Sequence, residues 1–150
     1  MTVRSDRSYR FDVDRSTVWT ALTDVACYPR WWPWLRHFDG EAFSAGARWR
    51  CVVSPPLPYS LRFELILEEV VEGTAVQARL EGDIAGTAQL TLDDDSGGCE
   101  LRLVSELAAE GRMVRLVDRV VPRLAARGHD WVLDDGIRRF RTRAFPRSVP

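Results

Sequence analysis

A chain of 150 residues with a formal net charge of −1 is long enough for one domain, which would bury roughly 70% of the surface that its unfolded form exposes. Residues 1–110 hold 11 Arg against 18 acidic residues, whereas residues 111–150 hold 10 Arg against 4 Asp. Because the Asp residues interrupt this basic stretch and no aromatic residues interleave with it, it favours a solvated helix face over a nucleic-acid site.

The cysteine and histidine content argues against disulfides and metal sites. Cys27, Cys51 and Cys99 are widely spaced and form no Cys-x-x-Cys pair, which predicts reduced, structural thiols in a cytoplasmic protein. His37 and His129 stand in separate predicted elements, so we expect no metal site. The chain has no nucleotide- or phosphate-binding glycine motif, so we expect no cofactor. It also has no signal-peptide core and no apolar stretch long enough to span a membrane.

The chain begins with a predicted strand and two short helical segments. Residues 8–13 alternate polar and apolar side chains, as a half-buried strand does. Asp14 or Ser16 can cap the short helix that follows. Residues 28–34 read Tyr-Pro-Arg-Trp-Trp-Pro-Trp, and their two prolines predict a short helix or turn between two kinks.

Residues 38–109 predict about six further strands, seven with the first. Apolar and polar residues alternate there between short turns rich in Gly, Asp and Ser, which is typical of an antiparallel meander. The pattern leaves open which strand faces point inward, because a register shift of one residue exchanges the two faces.

Residues 111–143 predict one long amphipathic helix. Its apolar residues recur at spacings of three and four, and the stripe comprises Val114, Val117, Val121, Leu124, Gly128, Trp131, Val132 and Phe140. Pro122 removes one backbone donor, so a kink or break is expected near Val121. Since one helix cannot cover a flat sheet of seven strands, we predict an α+β fold in which a curved antiparallel sheet wraps around the C-terminal helix, in a single domain spanning residues 1–150.

Several stretches resemble the polyketide cyclase/dehydrase branch of the START-like (SRPBCC, helix-grip, Bet v 1-like) superfamily. They lie in residues 18–33, 61–70, 81–87 and 128–136. The last stretch, Gly-His-Asp-Trp-Val-Leu-Asp-Asp-Gly, is similar to the family's Asn-His-Asp-x-Val-Met-x-x-Gly, from which it departs at Gly128 and Leu133. The resemblance covers nearly the whole chain and implies a sheet that grips the long helix, with a ligand cavity between them. Cyclase activity is implied by the resemblance alone.

Two residues are candidates for catalysis. An aldol-type ring closure needs a donor that polarises a carbonyl and a base that takes an alpha proton. Arg50 would supply the donor if its strand face points inward, although a solvated arginine is the favoured alternative. His129 would supply the base, since an unperturbed histidine has a pKa of about 6.5. The favoured alternative is a buried histidine that anchors the helix to a strand or loop.

Flat apolar side chains are the candidate ligand-binding residues. An empty cavity destabilises a protein by roughly 24 cal/mol per Å³, so a cavity that is retained implies an occupant. We expect two or more tryptophans to line it, and Gly86 to permit a bulge or leave room for a ligand. The full set is Trp31, Trp32, Trp34, Trp49, Phe63, Gly86 and Trp131.

The sequence thus predicts a protein that binds a small hydrophobic or aromatic molecule and that has, in one interpretation, cyclase-like activity. A non-catalytic carrier or sensor with the same pocket is the alternative. A third interpretation is a protein-interaction module in which the pocket has collapsed. Monomer and homodimer both stay open.

Overall fold

The computed structural model describes residues 2–120 and 123–145. Seven strands form one antiparallel sheet in the order β1-β7-β6-β5-β4-β3-β2. β1 pairs with β7, and every other neighbouring pair is consecutive along the chain, which confirms the predicted meander. The strands are β1 (Thr2–Phe11), β2 (Leu35–Asp39), β3 (Arg48–Val53), β4 (Leu61–Val71), β5 (Ala75–Gly82), β6 (Ile84–Asp95) and β7 (Gly98–Ala109).

Two short helices follow β1, as predicted: α1 (Arg15–Leu22) and α2 (Tyr28–Trp31). Asp14 caps α1, because its carboxylate accepts a hydrogen bond from the backbone N–H of Thr17 at 3.2 Å. This bond satisfies one of the N–H groups that the first turn of a helix leaves unpaired. Pro29 occupies the first turn of α2, where its missing N–H has no partner to lose.

The predicted C-terminal helix occurs as two segments, α3 (Arg112–Val120) and α4 (Leu124–Ala144). Arg123 has a φ of +71°, and this left-handed conformation cannot continue a right-handed helix. The expected kink at Val121 and Pro122 lies outside the described residues. In the part of the chain that is described, no helix is long and apolar enough to cross a membrane.

The second half of α4 packs into an aromatic core. The ring of Phe140 lies edge-on to Phe11 of β1, with centroids 5.8 Å apart, and to Trp31 of α2 at 5.3 Å. Phe145, which follows α4, contacts both Phe11 and Phe140. Edge-to-face pairs of this kind stabilise a fold beyond what apolar burial alone contributes. They therefore stabilise the packing of this end of α4 on the sheet.

The strand β1 also holds α4 through polar contacts. Arg7 lies 3.2 Å from the carboxylate of Asp130 and 3.6 Å from that of Asp134, and the Tyr9 hydroxyl donates to Asp134 at 2.9 Å. Because β1 is an edge strand, these inward-pointing polar groups also make the edge a poor template for pairing with another chain.

Candidate functional site

A cavity of about 390 Å³ lies between the inner face of the sheet and α4. Its wall combines residues of all seven strands, the loop between β3 and β4, and one face of α4, and it is almost entirely apolar. Among the described residues that line it there is no Asp, Glu or Arg. Apolar clefts of roughly 300–1,000 Å³ are typical of small-molecule sites.

A row of small side chains creates this space. Ser5, Ser105, Ala88 and Ala78 lie side by side on β1, β7, β6 and β5, as the registers of these strands require. All four are on the inner face, and the last three line the cavity. His129 of α4 reaches this row, since its Nε2 atom lies 3.1 Å from Ser105 Oγ. Larger residues flank the row at the neighbouring inner positions of β7 and β6, namely Leu103, Leu107 and Leu90.

The loop between β3 and β4 contributes one side of the cavity. Leu57 lines it and packs on α4 at Gly128, where an added Cβ atom would stand 2.4 Å from Leu57 Cδ1. The glycine at this position, where the resembled family usually has Asn, therefore leaves room for the Leu57 side chain.

Two stacked indoles fix the position of α4 above the cavity. Trp32 and Trp34 lie with ring centroids 5.6 Å apart and planes 17° from parallel. Trp32 donates its N–H to the backbone oxygen of Gly136 at 2.9 Å, and Trp34 donates to a carboxylate oxygen of Asp135 at 2.8 Å. Both rings line the cavity, so they serve as wall and as helix anchor together.

Asp135 is a buried carboxylate with three donors. Its side chain accepts hydrogen bonds from Trp34, from Arg139 at 2.7 Å and from Arg138. Burial raises the pKa of Asp135, but the hydrogen bonds from Arg139, Trp34 and Arg138 outweigh it, so the pKa lies below its ordinary value. Asp135 is therefore ionised at neutral pH, and its carboxylate holds the Trp34 indole by accepting the hydrogen bond.

Of the titratable side chains in the cavity wall, His129 is the one whose ordinary pKa lies closest to neutral pH. Burial lowers its pKa from the ordinary value, and Arg7 lowers it further, against the opposing effect of Asp130. The ring is therefore neutral near pH 7. Its Nε2 atom pairs with Ser105, but its Nδ1 atom is buried and has no hydrogen-bond partner among the described residues.

Two other ionisable groups in the wall stay protonated. Burial raises the pKa of the Cys51 thiol to about 12, and it also raises the pKa of the Tyr28 hydroxyl, which donates to the backbone oxygen of Leu22. Neither group carries charge into the cavity at neutral pH.

Five of the predicted site residues line the cavity: Trp32, Trp34, Trp49, Phe63 and His129. Trp31 does not. Its buried ring packs between Tyr28, Trp32 and Phe140, because the short helix α2 turns it toward the aromatic core while Trp32 and Trp34 face the cavity.

Arg50 is not in the cavity wall. Its side chain is 74% exposed and lies 3.7 Å from Glu64 on the outer face of the sheet. The reason is the two-residue period of β3: Trp49 and Cys51 point inward, so Arg50 between them points outward. The solvated alternative for this arginine is the one that the structure has.

Trp131 and Gly86 are also placed differently from the prediction. Trp131 is 38% exposed, because at about 100° per residue it lies roughly 200° around α4 from His129. Gly86 has a φ of +151°, and a Cβ there would stand 2.0 Å from the backbone oxygen of Glu106. That glycine allows β6 and β7 to approach closely, and it is not among the described residues that line the cavity.

Sequence reasoning missed Ser105 and Asp135. Ser105 interrupts the run of inward leucines on β7, between Leu103 and Leu107, and this interruption was a usable signal. The sequence carried no such signal for Asp135, because its partner Trp34 is 101 residues away.

The fold is shared with solved structures of low sequence identity. Ara h 8.0201 superposes with a TM-score of 0.74 at 9% identity, over 97% of this chain and 99% of that one. The di-domain ARO/CYC protein StfQ of the steffimycin biosynthetic pathway gives 0.70 at 11% identity, over 98% of this chain and 52% of its own. Norcoclaurine synthase from Thalictrum flavum, in complex with dopamine and hydroxybenzaldehyde, gives 0.61 at 10% identity, over 92% and 86%.

Sequence comparison adds nothing to this: no protein-family profile matches the chain, and neither does the sequence of any curated protein. The structural likeness therefore identifies the fold. The chain has the START-like, helix-grip fold, as the resemblance in its sequence implied.

Proposed function

We propose that this protein binds a small, uncharged, apolar or aromatic molecule in the cavity between the sheet and α4. The observation that carries the proposal is the space itself, about 390 Å³ lined by a wall almost without polar surface. Protein interiors are close-packed, with few voids larger than a water molecule. A cavity of this size is destabilising when empty, and apolar surface is what such a wall can bury favourably.

The aromatic part of the wall supports a flat ligand. The rings of Trp32, Trp34, Trp49 and Phe63 border the cavity, and such rings prefer offset-stacked or edge-on contacts with other aromatic groups. One of the structural neighbours, norcoclaurine synthase, holds dopamine and hydroxybenzaldehyde, both of which are aromatic. That neighbour shares the fold and has only 10% identity, so it supports the ligand class in general terms.

Non-catalytic binding, as in a carrier or sensor, is the form of this function that we favour. A cyclase needs a donor for the substrate carbonyl as well as a base. The candidate donor, Arg50, is on the outer face and pairs with Glu64. A turnover function would depend on His129, which is in the wall and neutral near pH 7. Replacing His129 would then abolish turnover while affinity changed little, whereas a carrier has no turnover to lose.

A titration of tryptophan fluorescence tests the proposal, because Trp32, Trp34 and Trp49 all border the cavity. Aromatic polyketides, fatty acids and sterols form the panel. The variant Ala88→Leu fills the small-residue row, and Thr87→Leu places the same leucine side chain on the outer face of the same strand. We expect saturable quenching by one chemical class, affinity at least tenfold weaker in Ala88→Leu, and wild-type affinity in Thr87→Leu. The absence of any response from the wild type would overturn the proposal.

A further inference from the structure

The short helix α3 exposes an unusual share of apolar side chain. Of the five large apolar residues that are exposed in the described part of the chain, three belong to this nine-residue helix: Met113, Leu116 and Val120, at 55%, 54% and 71%. Single apolar residues at a protein surface are normal, whereas a contiguous group of them marks an interaction site.

The apolar side of α3 is wider than the contact that the protein makes with it. At about 100° per residue, the apolar positions span roughly 160° of the helix, from Leu116 to Val114. Val114, at one edge of this arc, is buried and lines the cavity, and the half-buried Val117 lies beside it. Met113, Leu116 and Val120 form the other edge, within about 60° of one another. The rest of the protein thus covers one edge of the arc and leaves the other exposed.

Three arginines of α3 lie next to this exposed edge. Arg112 and Arg119 are within about 60° of Leu116 around the helix, and Arg115 lies beyond them. All three are exposed, and none forms an ion pair within the part of the chain that the structure describes. Basic residues beside an exposed apolar stripe are typical of a helix that lies in the interface of a bilayer, where anionic head groups attract the cations and the acyl chains take up the apolar side chains.

Other occupants fit this surface less well. A second copy of the chain would bring the arginines of one α3 close to those of the other, and like charges in an interface oppose association. An acidic protein would match the charge, but three apolar side chains fall far short of the roughly 20–30 residues that each partner contributes to a stable interface. A bilayer requires only that the apolar side of the helix enter the boundary between head groups and acyl chains.

We propose that α3 docks the protein on an anionic lipid bilayer, with Met113, Leu116 and Val120 among the acyl chains and the arginines at the head groups. This goes beyond the function proposed above and stands on α3 itself. One consequence does rest on that function. Because Val114 lines the cavity from the same helix, docking brings this end of the cavity to the phase in which an apolar ligand dissolves.

Sedimentation with lipid vesicles tests the proposal. The vesicles are phosphatidylcholine alone and phosphatidylcholine mixed with an equal part of phosphatidylglycerol. We expect the wild type to bind the mixed vesicles only, and less as salt is added. Arg119→Glu should lower the affinity at least tenfold. The control is Arg143→Glu, the same change at an exposed residue of the last turn of α4, roughly 30 Å along that helix from its start. It should lower the affinity less than about threefold, since a distant charge is screened.

A second pair of variants tests insertion without changing charge. Val120→Ser should weaken vesicle binding about fivefold, because it removes apolar surface that the acyl chains bury. Val71→Ser makes the same change at an exposed valine at the end of β4 and should bind as the wild type does. All four substituted residues are exposed, so the variants should keep the fold, which circular dichroism checks.

Several results would overturn the proposal. The first is a wild type that does not sediment with the mixed vesicles, which would favour an acidic protein as the partner. The others are equal losses in Arg119→Glu and Arg143→Glu, wild-type affinity in Val120→Ser, and a dimer in solution that Val120→Ser dissociates, since a second copy would then cover α3. None of these results concerns ligand binding in the cavity, which the fluorescence titration tests separately, so each proposal can fail without the other.

Discussion

The indole N–H of Trp34 lies 2.8 Å from the carboxylate of Asp135 and joins the segment after α2 to the middle of α4. Asp135 as a whole is 4% exposed, so the bond is shielded from water. Together with the neighbouring hydrogen bond from Trp32 to Gly136, this bond positions α4, the helix that covers the cavity. The charge on Asp135 thus connects a tryptophan of the cavity wall with two arginines of α4.

Replacing Trp34 by Phe should destabilise the fold by about 2 kcal/mol, because hydrogen bonds to charged groups contribute about 1.5–3 kcal/mol. Urea denaturation measures the free energy of unfolding. Trp131→Phe is the matched control, since Trp131 is an exposed tryptophan of α4, and it should change stability by less than about 0.5 kcal/mol. Equal losses in the two variants would show that the Asp135 bond contributes nothing.

The stability contributed by Asp135 should disappear in acid. Its pKa in the folded protein is below the ordinary value of 3.8, so the contribution is complete above that value and is lost as the pH falls through the lower, folded-state pKa. We expect the wild type to be more stable than Asp135→Asn at pH 7, and the difference to shrink below about pH 4. A difference that is constant from pH 7 to pH 3 would contradict the assignment.

His129 should destabilise the protein over a different pH range. Its folded-state pKa is below the ordinary value of 6.5, because burial disfavours the charged ring, Arg7 acts in the same direction and Asp130 opposes both. The stability that the neutral ring contributes is therefore fully present above pH 6.5. It is lost as the pH falls from 6.5 toward and through the folded-state pKa. Between pH 7 and pH 5, the wild type should lose more stability than His129→Leu. The ring signal of His129 in NMR spectra should also titrate with a midpoint below 6.5.

Filling the cavity should stabilise the empty protein. Ala88→Leu adds apolar carbon where the structure has open space, and each buried CH₂ group is worth about 0.8 kcal/mol. We expect a gain of about 1–2 kcal/mol in urea denaturation without ligand, together with the loss of ligand affinity described above. Lower stability would mean that the side chain is overpacked and that the space is smaller than the structure indicates.

The sheet was predictable from the sequence because its signals are local. The alternation in residues 38–109 and the turns that divide it predicted about the right number of strands and their meander, and Asp14 was one of the two residues, with Ser16, that were predicted as the cap of α1. Pro122 predicted a kink or break before α4, although residues 121 and 122 lie outside the described part of the chain.

The site was less predictable because it depends on direction. Arg50 and Trp49 are adjacent in the sequence, yet one points to solvent and the other to the cavity, and periodicity without a known register does not distinguish them. Trp131 was assigned to the wrong face because spacings of three and four drift around a helix over several turns. The row formed by Ser5, Ser105, Ala88 and Ala78 comes from four strands, so it becomes visible only when their registers are known.

The central claim is that the ligand lies between the sheet and α4, and intermolecular NOEs test it most directly. The experiment uses methyl-labelled protein and the ligand that the fluorescence panel identifies. We predict NOEs from the ligand to the methyl groups of Ala88, Leu90 and Val132, which line the cavity. NOEs confined to Met113, Leu116 and Val120, the exposed apolar residues of α3, would show that the ligand binds at the surface and would contradict the account.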